Sequence, residues 1–292
     1  PFSRAGLDIK PMNRVLVVGA PRSGTTWLAQ VLAAEPGSRL VHEPDNPAFH
    51  PDAAEARALY GGYASLHRGE RVPAYEELWD AAFATAPADG PVIAKSVYAA
   101  FALEWLAHRY APQVVIIERH PVRVVASWMR LGFHVGQMPT RERITAEHVE
   151  RALLPAWDPQ APRLVQVSWV VALLMTAMCT ARLSHPEWTV VSHEWLSAYP
   201  AGRLAALAGA LDLRWTETSE SLVRNLGVAP TVPVAVDAGG IPIAWNDHPV
   251  ADARAAMALL RRFPALSPWV GAAASDADAM SSEMPNSMVP SR

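Results

Sequence analysis

The sequence Val15-Leu-Val-Val-Gly19 runs directly into Ala20-Pro-Arg-Ser-Gly-Thr-Thr26, and a helical pattern covers Thr25–Ala34. The first run is apolar and β-branched and so predicts a buried strand, while the small residues after it predict a tight loop. Backbone N–H groups of such a loop point inward and can cradle an oxyanion, and the positive end of the helix dipole adds to the attraction. This stretch therefore predicts a strand, a phosphate-binding loop and a helix N-terminus.

The phosphate-binding loop differs from that of nucleotide triphosphatases in its second half. The spacing Gly19-x-x-x-x-Gly24 matches, but Thr25 stands where that motif has lysine, and Arg22 supplies a cation earlier in the loop. Gly24 also permits a backbone conformation that a Cβ would obstruct. Further hydrogen bonds can come from the hydroxyls of Ser23, Thr25 and Thr26. We interpret the loop as built for a phosphate without a metal ion; the alternative is an incidental turn rich in small residues.

Strand-like and helical patterns alternate along the rest of the chain. Strands are predicted at Val15–Gly19, Arg39–His42, Val92–Ala94, Val114–Glu118 and Thr189–Ser192. Helices are predicted at Thr25–Ala34, Ala99–Arg109, Val122–Leu131, Ser168–Leu183 and Ala201–Leu211. This alternation is typical of an α/β fold, a parallel sheet covered by helices on both faces, whose ligands bind at the carboxyl ends of the strands. Asp45–Asp89 and Gly132–Arg163 interrupt it and are long enough to form helical lids over the sheet edge.

Composition and charge limit the possible functions. The 292 residues carry a net charge of −3, so no global basic field recruits nucleic acid, and any anionic ligand depends on locally placed cations. The single cysteine, Cys179, excludes an internal disulfide and fits a reducing compartment. Residues 1–10 lack the apolar run of a signal peptide, and we expect a cytoplasmic protein.

The same patterns predict the domain organisation. Residues 1–13 are interpreted as an N-terminal tail and residues 14–270 as one domain, while the aperiodic, Ala- and Ser-rich residues 271–292 are predicted to be disordered. Leu164–Ala181 contains no charge and, at 18 residues, reaches the lower limit of a membrane span. We interpret it as a buried core helix, with a membrane span as the alternative. Nothing in the sequence indicates an oligomeric state.

A second candidate anion site is Arg119-His-Pro-Val-Arg-Val-Val-Ala-Ser127, at the end of the fourth predicted strand. Pro121 suits the first turn of a helix, so Arg119 lies where the strand ends and Ser127 lies on the helix. A guanidinium and a hydroxyl together can clamp a phosphate, although a surface arginine and a helix serine fit the pattern equally. Glu118 occupies the strand end at which a Walker-type enzyme places its Mg²⁺ aspartate, which weakens the metal-free interpretation without reversing it.

Together the two sites resemble the sulfotransferases that use 3′-phosphoadenosine 5′-phosphosulfate (PAPS). Pro21-Arg-Ser-Gly-Thr-Thr-Trp-Leu28 is similar to the 5′-phosphosulfate loop of that superfamily, and Arg119 with Ser127 is similar to its 3′-phosphate clamp. The likeness spans Arg14–Trp215 and implies a P-loop NTPase-like three-layer sandwich. It also implies PAPS as co-substrate and no required metal.

The resemblance implies a set of nucleotide contacts. These are Arg22, Ser23, Gly24, Thr25, Thr26, Trp27, Arg119, Ser127 and His193. Trp27 corresponds to a tryptophan that stacks on adenine in cytosolic sulfotransferases, although a core residue of the first helix fits as well. His193 lies in Val190-Val-Ser-His-Glu-Trp-Leu196, which resembles the late strand of the superfamily, and it replaces the usual tyrosine.

The resemblance also implies catalytic roles for Arg22, Lys95 and Glu43. Arg22 keeps the charge of the lysine or arginine that holds the 5′ phosphosulfate. Lys95 follows an apolar strand and resembles the second lysine of tyrosylprotein and some carbohydrate sulfotransferases, which predicts a contact with the bridging oxygen. A lysine that points to solvent is the alternative.

Glu43 is the predicted base. It lies 21 positions after Arg22, close to where tyrosylprotein sulfotransferases carry theirs, and Glu43-Pro44 resembles carbohydrate sulfotransferases. Cytosolic enzymes instead use a histidine in a Lys-Thr-His pattern, whereas this chain reads Lys95-Ser-Val97. His42 and Asp45 are the local alternatives, and a carboxylate that only fixes the loop is another.

We therefore expect sulfuryl transfer from PAPS to a hydroxyl of a carbohydrate, glycolipid or other small metabolite. The nearest relatives are expected to be the carbohydrate and tyrosylprotein types. Aromatic residues in or near the predicted walls could contact this acceptor: Tyr60, Tyr63, Trp79, Tyr98, Trp128 and Trp157. A nucleotide kinase or triphosphatase with a degenerate loop, and a nucleotide-binding protein without catalysis, are the competing hypotheses.

Overall fold

Five short strands, at the positions that the sequence predicts, form one parallel sheet. They are β1 Arg14–Val18, β2 Arg39–His42, β3 Val92–Ser96, β4 Gln113–Glu118 and β5 Thr189–Ser192, in the order β2-β3-β1-β4-β5. All four neighbouring pairs are parallel, and β1 lies at the centre. The computed structural model describes residues 13–84, 90–226 and 234–270. The predictions for residues 1–12 and 271–292 lie outside the described residues.

Helices occupy most of the connections between the strands. They are α1 Thr25–Leu32, α2 Ala53–Tyr60, α3 Pro73–Ala84, α4 Leu103–Tyr110, α5 Pro121–Leu131, α6 Glu142–Ile144, α7 Arg163–Leu183, α8 His193–Ala198, α9 Pro200–Ala210, α10 Glu217–Leu226, α11 Val250–Leu260 and α12 Ser267–Val270. Shorter 3₁₀ turns lie at Ala99–Phe101, Met138–Thr140, Ile243–Trp245 and Pro264–Leu266, and Thr145–Glu150 is a π-helix.

The sheet separates two hydrophobic cores. Because side chains alternate along a strand, Val15 and Val17 of β1 join one core with α1, α8 and α9, while Leu16 and Val18 join the other with α3, α4, α5, α7 and α11. Helices therefore cover both faces, which confirms the predicted three-layer α/β fold. The predicted lid regions contain α2 and α3 in the first and the helical turns from Met138 to Glu150 in the second.

Helix α7 is apolar all round and packs against α5 and α11. By length and composition it could cross a membrane, but 72% of its most apolar 18-residue window is buried inside the protein. It is therefore the buried core helix that the sequence predicts. It begins at Arg163 rather than at Ser168, directly after Pro162, whose extended backbone (φ −53°, ψ 146°) precedes the first turn.

The remaining differences from the sequence prediction are local. The pattern over Ala99–Arg109 is divided into a 3₁₀ turn and α4 by Ala102, whose backbone leaves the helical range (φ −118°, ψ 7°). Strand β3 continues to Ser96, so Lys95 lies within the strand. Helix α10 was not predicted because its apolar residues are few, Leu222, Val223 and Leu226, and lie only in its second half.

The connections out of β1 and β4 open a crevice between them. Strand β1 leads through α1, on one face of the sheet, towards β2, whereas β4 leads through α5 and α7, on the other face, towards β5. Neighbouring strands whose connections diverge in this way leave a ligand-binding crevice at their carboxyl ends. The two predicted anion motifs are the segments that follow these two strands.

Candidate active site

The loop between β1 and α1 has the backbone expected of an anion cradle. Gly24 adopts φ +103° immediately before the first turn of α1, and no side chain caps that turn. The loop is closed by a hydrogen bond from the Ser23 amide to the Ala20 carbonyl (3.0 Å), and the Trp128 indole donates to the Pro21 carbonyl (2.8 Å). The backbone N–H groups at the helix N-terminus can therefore donate hydrogen bonds to an anion.

Several buried polar groups around this loop have no hydrogen-bond partner among residues 13–84, 90–226 and 234–270. They are the Ser23 hydroxyl, the Arg119 Nε and the Trp27 indole nitrogen. A Cβ built at Gly24 would lie 2.6 Å from the His193 ring, so the glycine also provides close access. Buried donors without partners are costly unless a ligand meets them, and a phosphate fits this set.

The second motif joins the first through Arg22. Arg119 Nη1 donates to the Arg22 carbonyl at 3.0 Å, and Arg22 Nε donates to the Ser127 hydroxyl at 3.2 Å. Burial lowers the pKa of Arg119, and the neighbouring Glu194 opposes that shift. The structure thus brings Arg22, Arg119 and Ser127 together at the β1–β4 crevice.

Trp27 and His193 lie together beside the loop. Their ring centroids are 5.7 Å apart, and both side chains are buried. Trp27 belongs to the core cluster of its sheet face, which matches the core alternative that the sequence leaves open. Burial lowers the pKa of His193 to about 4, with Arg119 and Arg123 adding to the effect, so the ring is neutral near pH 7.

Glu43 and Lys95 form a buried ion pair at the ends of β2 and β3. The register of these strands pairs His42 with Lys95, so Glu43 emerges directly beside the lysine, and its amide donates to the Lys95 carbonyl at 2.7 Å. Lys95 Nζ donates to Glu43 Oε1, and the Asn46 amide donates to Oε2 at 2.6 Å. Burial lowers the pKa of Lys95, and the hydrogen bond and charge of Glu43 oppose that shift.

Two of these residues have strained backbones. Arg22 (φ 76°) and Glu43 (φ 49°) occupy the left-handed region that non-glycine residues rarely adopt. Such conformations cost about 1–3 kcal/mol each and cluster at functional sites. Both residues point into a cavity, which is consistent with a site that positions charged groups at the expense of stability.

That cavity has a volume of about 950 Å³ and lies over the carboxyl edge of the sheet. Its floor includes Arg22, Thr26, Glu43 and Lys95. Its walls come from the segment around α2, from residues 133–141 after α5, and from Tyr98 and Trp128, and they also include the aromatic residues Phe49, Tyr63 and Phe133. The other predicted wall aromatics do not line the cavity: Tyr60 packs on Tyr75, Trp79 is buried in the core and Trp157 packs on Trp169. The volume suits a drug-sized ligand, for which pockets measure ~300–1,000 Å³.

The two alternative bases are less well placed. His42 contacts the ring of Phe49 and lies 3.8 Å from Glu43, outside the cavity lining. Asp45 is buried beneath the ion pair, where its carboxylate accepts hydrogen bonds from the Ser96 hydroxyl (2.9 and 2.7 Å) and the Tyr75 hydroxyl (3.3 Å). Of the three, Glu43 alone lines the cavity.

Asp45 should make stability depend on pH in a recognisable window. Burial raises its pKa to about 6 from 3.8, so the folded protein holds the proton more tightly than the unfolded chain. This contribution to the free energy of unfolding is present below pH 4 and is lost as the pH rises through about 6, at about 1.4 kcal/mol for each pKa unit.

We expect Asp45→Asn, which cannot titrate, to gain stability relative to wild type as the pH rises from 4 to 7. Chemical denaturation of both proteins at pH 4, 5, 6 and 7 measures the difference, in which all other titrations cancel. Asp52→Asn, at an exposed acid of the same segment, is the control. A difference that stays constant with pH contradicts the assignment.

Three residues of this site were not predicted from the sequence. Asn46, which holds the Glu43 carboxylate, follows it by three residues in a polar turn, and that spacing is a usable signal. Arg57 and Arg141 also line the cavity, but they lie in the two lid regions, which the sequence alone does not place against each other. In the part of the chain that the structure describes, no group of three or more His, Cys, Asp or Glu side chains could hold a metal ion.

The sequence and fold of this chain were compared with those of known proteins. The family model described as Sulfotransferase family matches residues 14–217. No curated protein is significantly similar to this chain in sequence.

Among solved structures, sulfotransferase STF9 from Mycobacterium avium is 13% identical, with 85% of this chain and 75% of that chain covered and a TM-score of 0.49. A sulfotransferase from Alicyclobacillus acidocaldarius is 19% identical over 88% and 98% of the two chains, with a TM-score of 0.43. Mouse sulfotransferase SULT7A1 complexed with PAP is 11% identical over 93% and 89%, with a TM-score of 0.45.

The matched residues 14–217 run from β1 to the start of α10 and include the loop between β1 and α1, the Glu43–Lys95 pair and the Arg119–Ser127 motif. More than half of the chain is thus matched by one family model, and the chain belongs to the sulfotransferase family.

Proposed function

We propose that this protein transfers a sulfuryl group from PAPS to a hydroxyl group of a carbohydrate, glycolipid or other small metabolite. The products are a sulfate ester and 3′-phosphoadenosine 5′-phosphate (PAP). The observation that carries the proposal is the junction at Arg22, whose carbonyl accepts from Arg119 and whose guanidinium donates to Ser127. PAPS carries phosphate groups at two separate points. These match the loop after β1 and the Arg119–Ser127 clamp, which are joined through Arg22.

In this proposal the loop and the clamp divide the nucleotide between them. The amides at the start of α1, the Ser23 hydroxyl and Arg22 bind the 5′ phosphosulfate, and Arg119 with Ser127 binds the 3′-phosphate. Ser127 can keep its contact with Arg22 as the nucleotide enters, because its hydroxyl oxygen accepts from the guanidinium while its hydrogen is donated to the 3′-phosphate. His193 and Trp27, which lie together beside the loop, are the proposed adenine contacts.

The Glu43–Lys95 pair lies where the transfer would occur. Glu43 accepts the proton of the acceptor hydroxyl as the new sulfur–oxygen bond forms. Lys95 and Arg22 stabilise the negative charge that develops on the bridging oxygen as the old sulfur–oxygen bond breaks. Both partners of the pair line the same cavity, which supports assigning the base and the leaving-group cation to one reaction site.

The competing hypothesis of a kinase or triphosphatase requires an acid near the loop to hold Mg²⁺. Glu118 is the candidate at the end of β4. Burial raises its pKa, the charge of Arg182 opposes that shift and the charge of Glu194 adds to it. Thr25 stands where the loop of such enzymes has lysine, which favours transfer without a metal ion, and we propose no second function.

Addition of PAP should raise the melting temperature of the protein. A ligand present at 100 times its Kd contributes about 2.7 kcal/mol, which for a chain of this size is a shift of several degrees. Differential scanning fluorimetry with PAP, and with ATP plus Mg²⁺ as the control, measures this shift, and radiolabelled PAPS with an acceptor panel measures transfer. No shift with PAP, or a larger shift with ATP and Mg²⁺, contradicts the proposal.

A further inference from the structure

Two arginines line the cavity on the side of α2 and of the segment after α5. Arg57 lies on α2, and Arg141 lies immediately before α6. No carboxylate of residues 13–84, 90–226 or 234–270 lies within 4.0 Å of either guanidinium. Two cations from separate lid regions therefore border one cavity without an ion pair.

Both guanidiniums contact uncharged groups, so their positive charge is not neutralised by these contacts. Arg57 lies over the Tyr98 ring, 5.4 Å from its centroid. Arg141 donates to the Gln137 side chain at 3.3 Å and packs on Gly61, where a Cβ would lie 2.8 Å from its guanidinium carbon. These contacts orient the two guanidiniums and leave most of their N–H donors available to a ligand.

The glycine pair Gly61-Gly62 makes this arrangement possible. A Cβ at Gly62 would lie 3.3 Å from Arg57 Nη2. In the same way, a Cβ at Gly61 would lie too close to the Arg141 guanidinium. Gly61 also has φ +81°, which a side chain would strain. Two adjacent residues without side chains thus leave room for one guanidinium each.

The charge of the cavity is unbalanced. Among the described lining residues Glu43 is the one carboxylate, and it is already paired with Lys95. Arg22 is assigned to the phosphosulfate. Arg57 and Arg141 remain as positive charge on the acceptor side, where an uncharged acceptor would leave both unmatched.

We infer that the acceptor carries an anionic group, a carboxylate or a phosphate or sulfate ester, which Arg57 and Arg141 bind while its hydroxyl meets Glu43. The inference rests on the proposed function and narrows its acceptor to anionic hydroxyl compounds. Guanidinium forks bind planar or tetrahedral oxyanions through two hydrogen bonds, and the aromatic walls contact the neutral body of the acceptor.

Matched pairs of probes test the inference. One set is 4-hydroxyphenylacetate and its methyl ester; the other is glucuronate, glucose 6-phosphate and glucose, which separates the carboxylate from the phosphate source. Melting temperatures are measured with and without saturating PAP, and transfer is measured with radiolabelled PAPS. We expect the anionic probes to stabilise the protein and to be the better acceptors, with the effect declining as salt is raised.

Arg57→Gln and Arg141→Gln should each reduce this preference by about 10-fold to 100-fold, the range for hydrogen bonds to charged groups. Neutral probes and the shift with PAP should be unaffected, and Arg254→Gln, at an exposed arginine of α11 outside the cavity, should behave as wild type. Equal binding of charged and neutral probes, no binding of any anionic probe, or a preference that survives the double variant would overturn the inference. If the wild-type protein showed no melting-temperature shift with PAP but still bound anionic probes more tightly than neutral ones, that result would count against the proposed nucleotide and not against the anion site.

Discussion

Glu43→Gln is expected to lower kcat by about 10²–10⁴-fold, the usual contribution of a positioned general base. Glutamine has the same length as glutamate and its carbonyl can still accept from Lys95, but it cannot take up the proton of the acceptor. The carboxylate is buried and held by Lys95 on one oxygen and by Asn46 on the other. The replacement therefore removes the proton acceptor and can keep the bond to Lys95, while the Asn46 side-chain amide, which donates to the other oxygen, loses its acceptor.

The effect on binding should separate catalysis from folding. Among the residues that the structure describes, no hydrogen bond or ion pair joins Glu43 to the loop after β1 or to the Arg119–Ser127 motif, so the melting-temperature shift with PAP should be close to that of wild type. The unliganded variant should be less stable, because Lys95 keeps a buried charge without its ionised partner. A loss of both transfer and the PAP shift would indicate damage to the fold rather than loss of a base.

His42→Gln is the matched comparison. His42 precedes Glu43, its ring packs on Phe49, and it lies outside the cavity. We expect a change in kcat of less than about tenfold, since a neighbour that only packs beside the base affects its position and not its proton transfer. If His42→Gln lost more activity than Glu43→Gln, the histidine would be the base.

The predictability of this site differs from residue to residue. The loop after β1 could be predicted because strand, small residues and helix are contiguous in sequence. Glu43 and Lys95 could each be predicted at a strand end, but their ion pair depends on β2 lying next to β3 with His42 opposite Lys95. That register depends on the strand order, which the sequence pattern does not state.

The acceptor side could not be predicted for a related reason. Arg57 and Arg141 are 84 positions apart in lid segments without strong periodicity, and only the folded chain places them around Gly61 and Gly62. For Trp27 the sequence motif predicts more than the structure supports. Its motif predicts a stacking residue, while its burial in the α1 core shows that most of its surface is used for packing.

Arg119→Ala is expected to weaken PAP binding by about 10-fold to 100-fold or more, because hydrogen bonds to charged groups contribute about 1.5–3 kcal/mol. The loss should exceed that of an ordinary surface arginine, since Arg119 also donates to the Arg22 carbonyl and so holds the strained loop. Arg254→Ala, at an exposed arginine of α11 outside the cavity, is the control and should leave the PAP shift intact. Isothermal titration and thermal shift with PAP measure the effect.

Comparison of PAP with AMP, which lacks the 3′-phosphate, locates the lost contact. Wild type should bind PAP more tightly than AMP, and Arg119→Ala should remove this difference in affinity. A variant with a generally damaged loop would instead lose affinity for both nucleotides in equal measure. Ser127→Ala should lose part of the same margin, because its hydroxyl is a single neutral donor. Arg119→Lys should restore only some of it, since an ammonium keeps the charge but not the planar fork. An unchanged preference for PAP in Arg119→Ala would place the 3′-phosphate elsewhere and would leave the Arg22 junction as a structural contact.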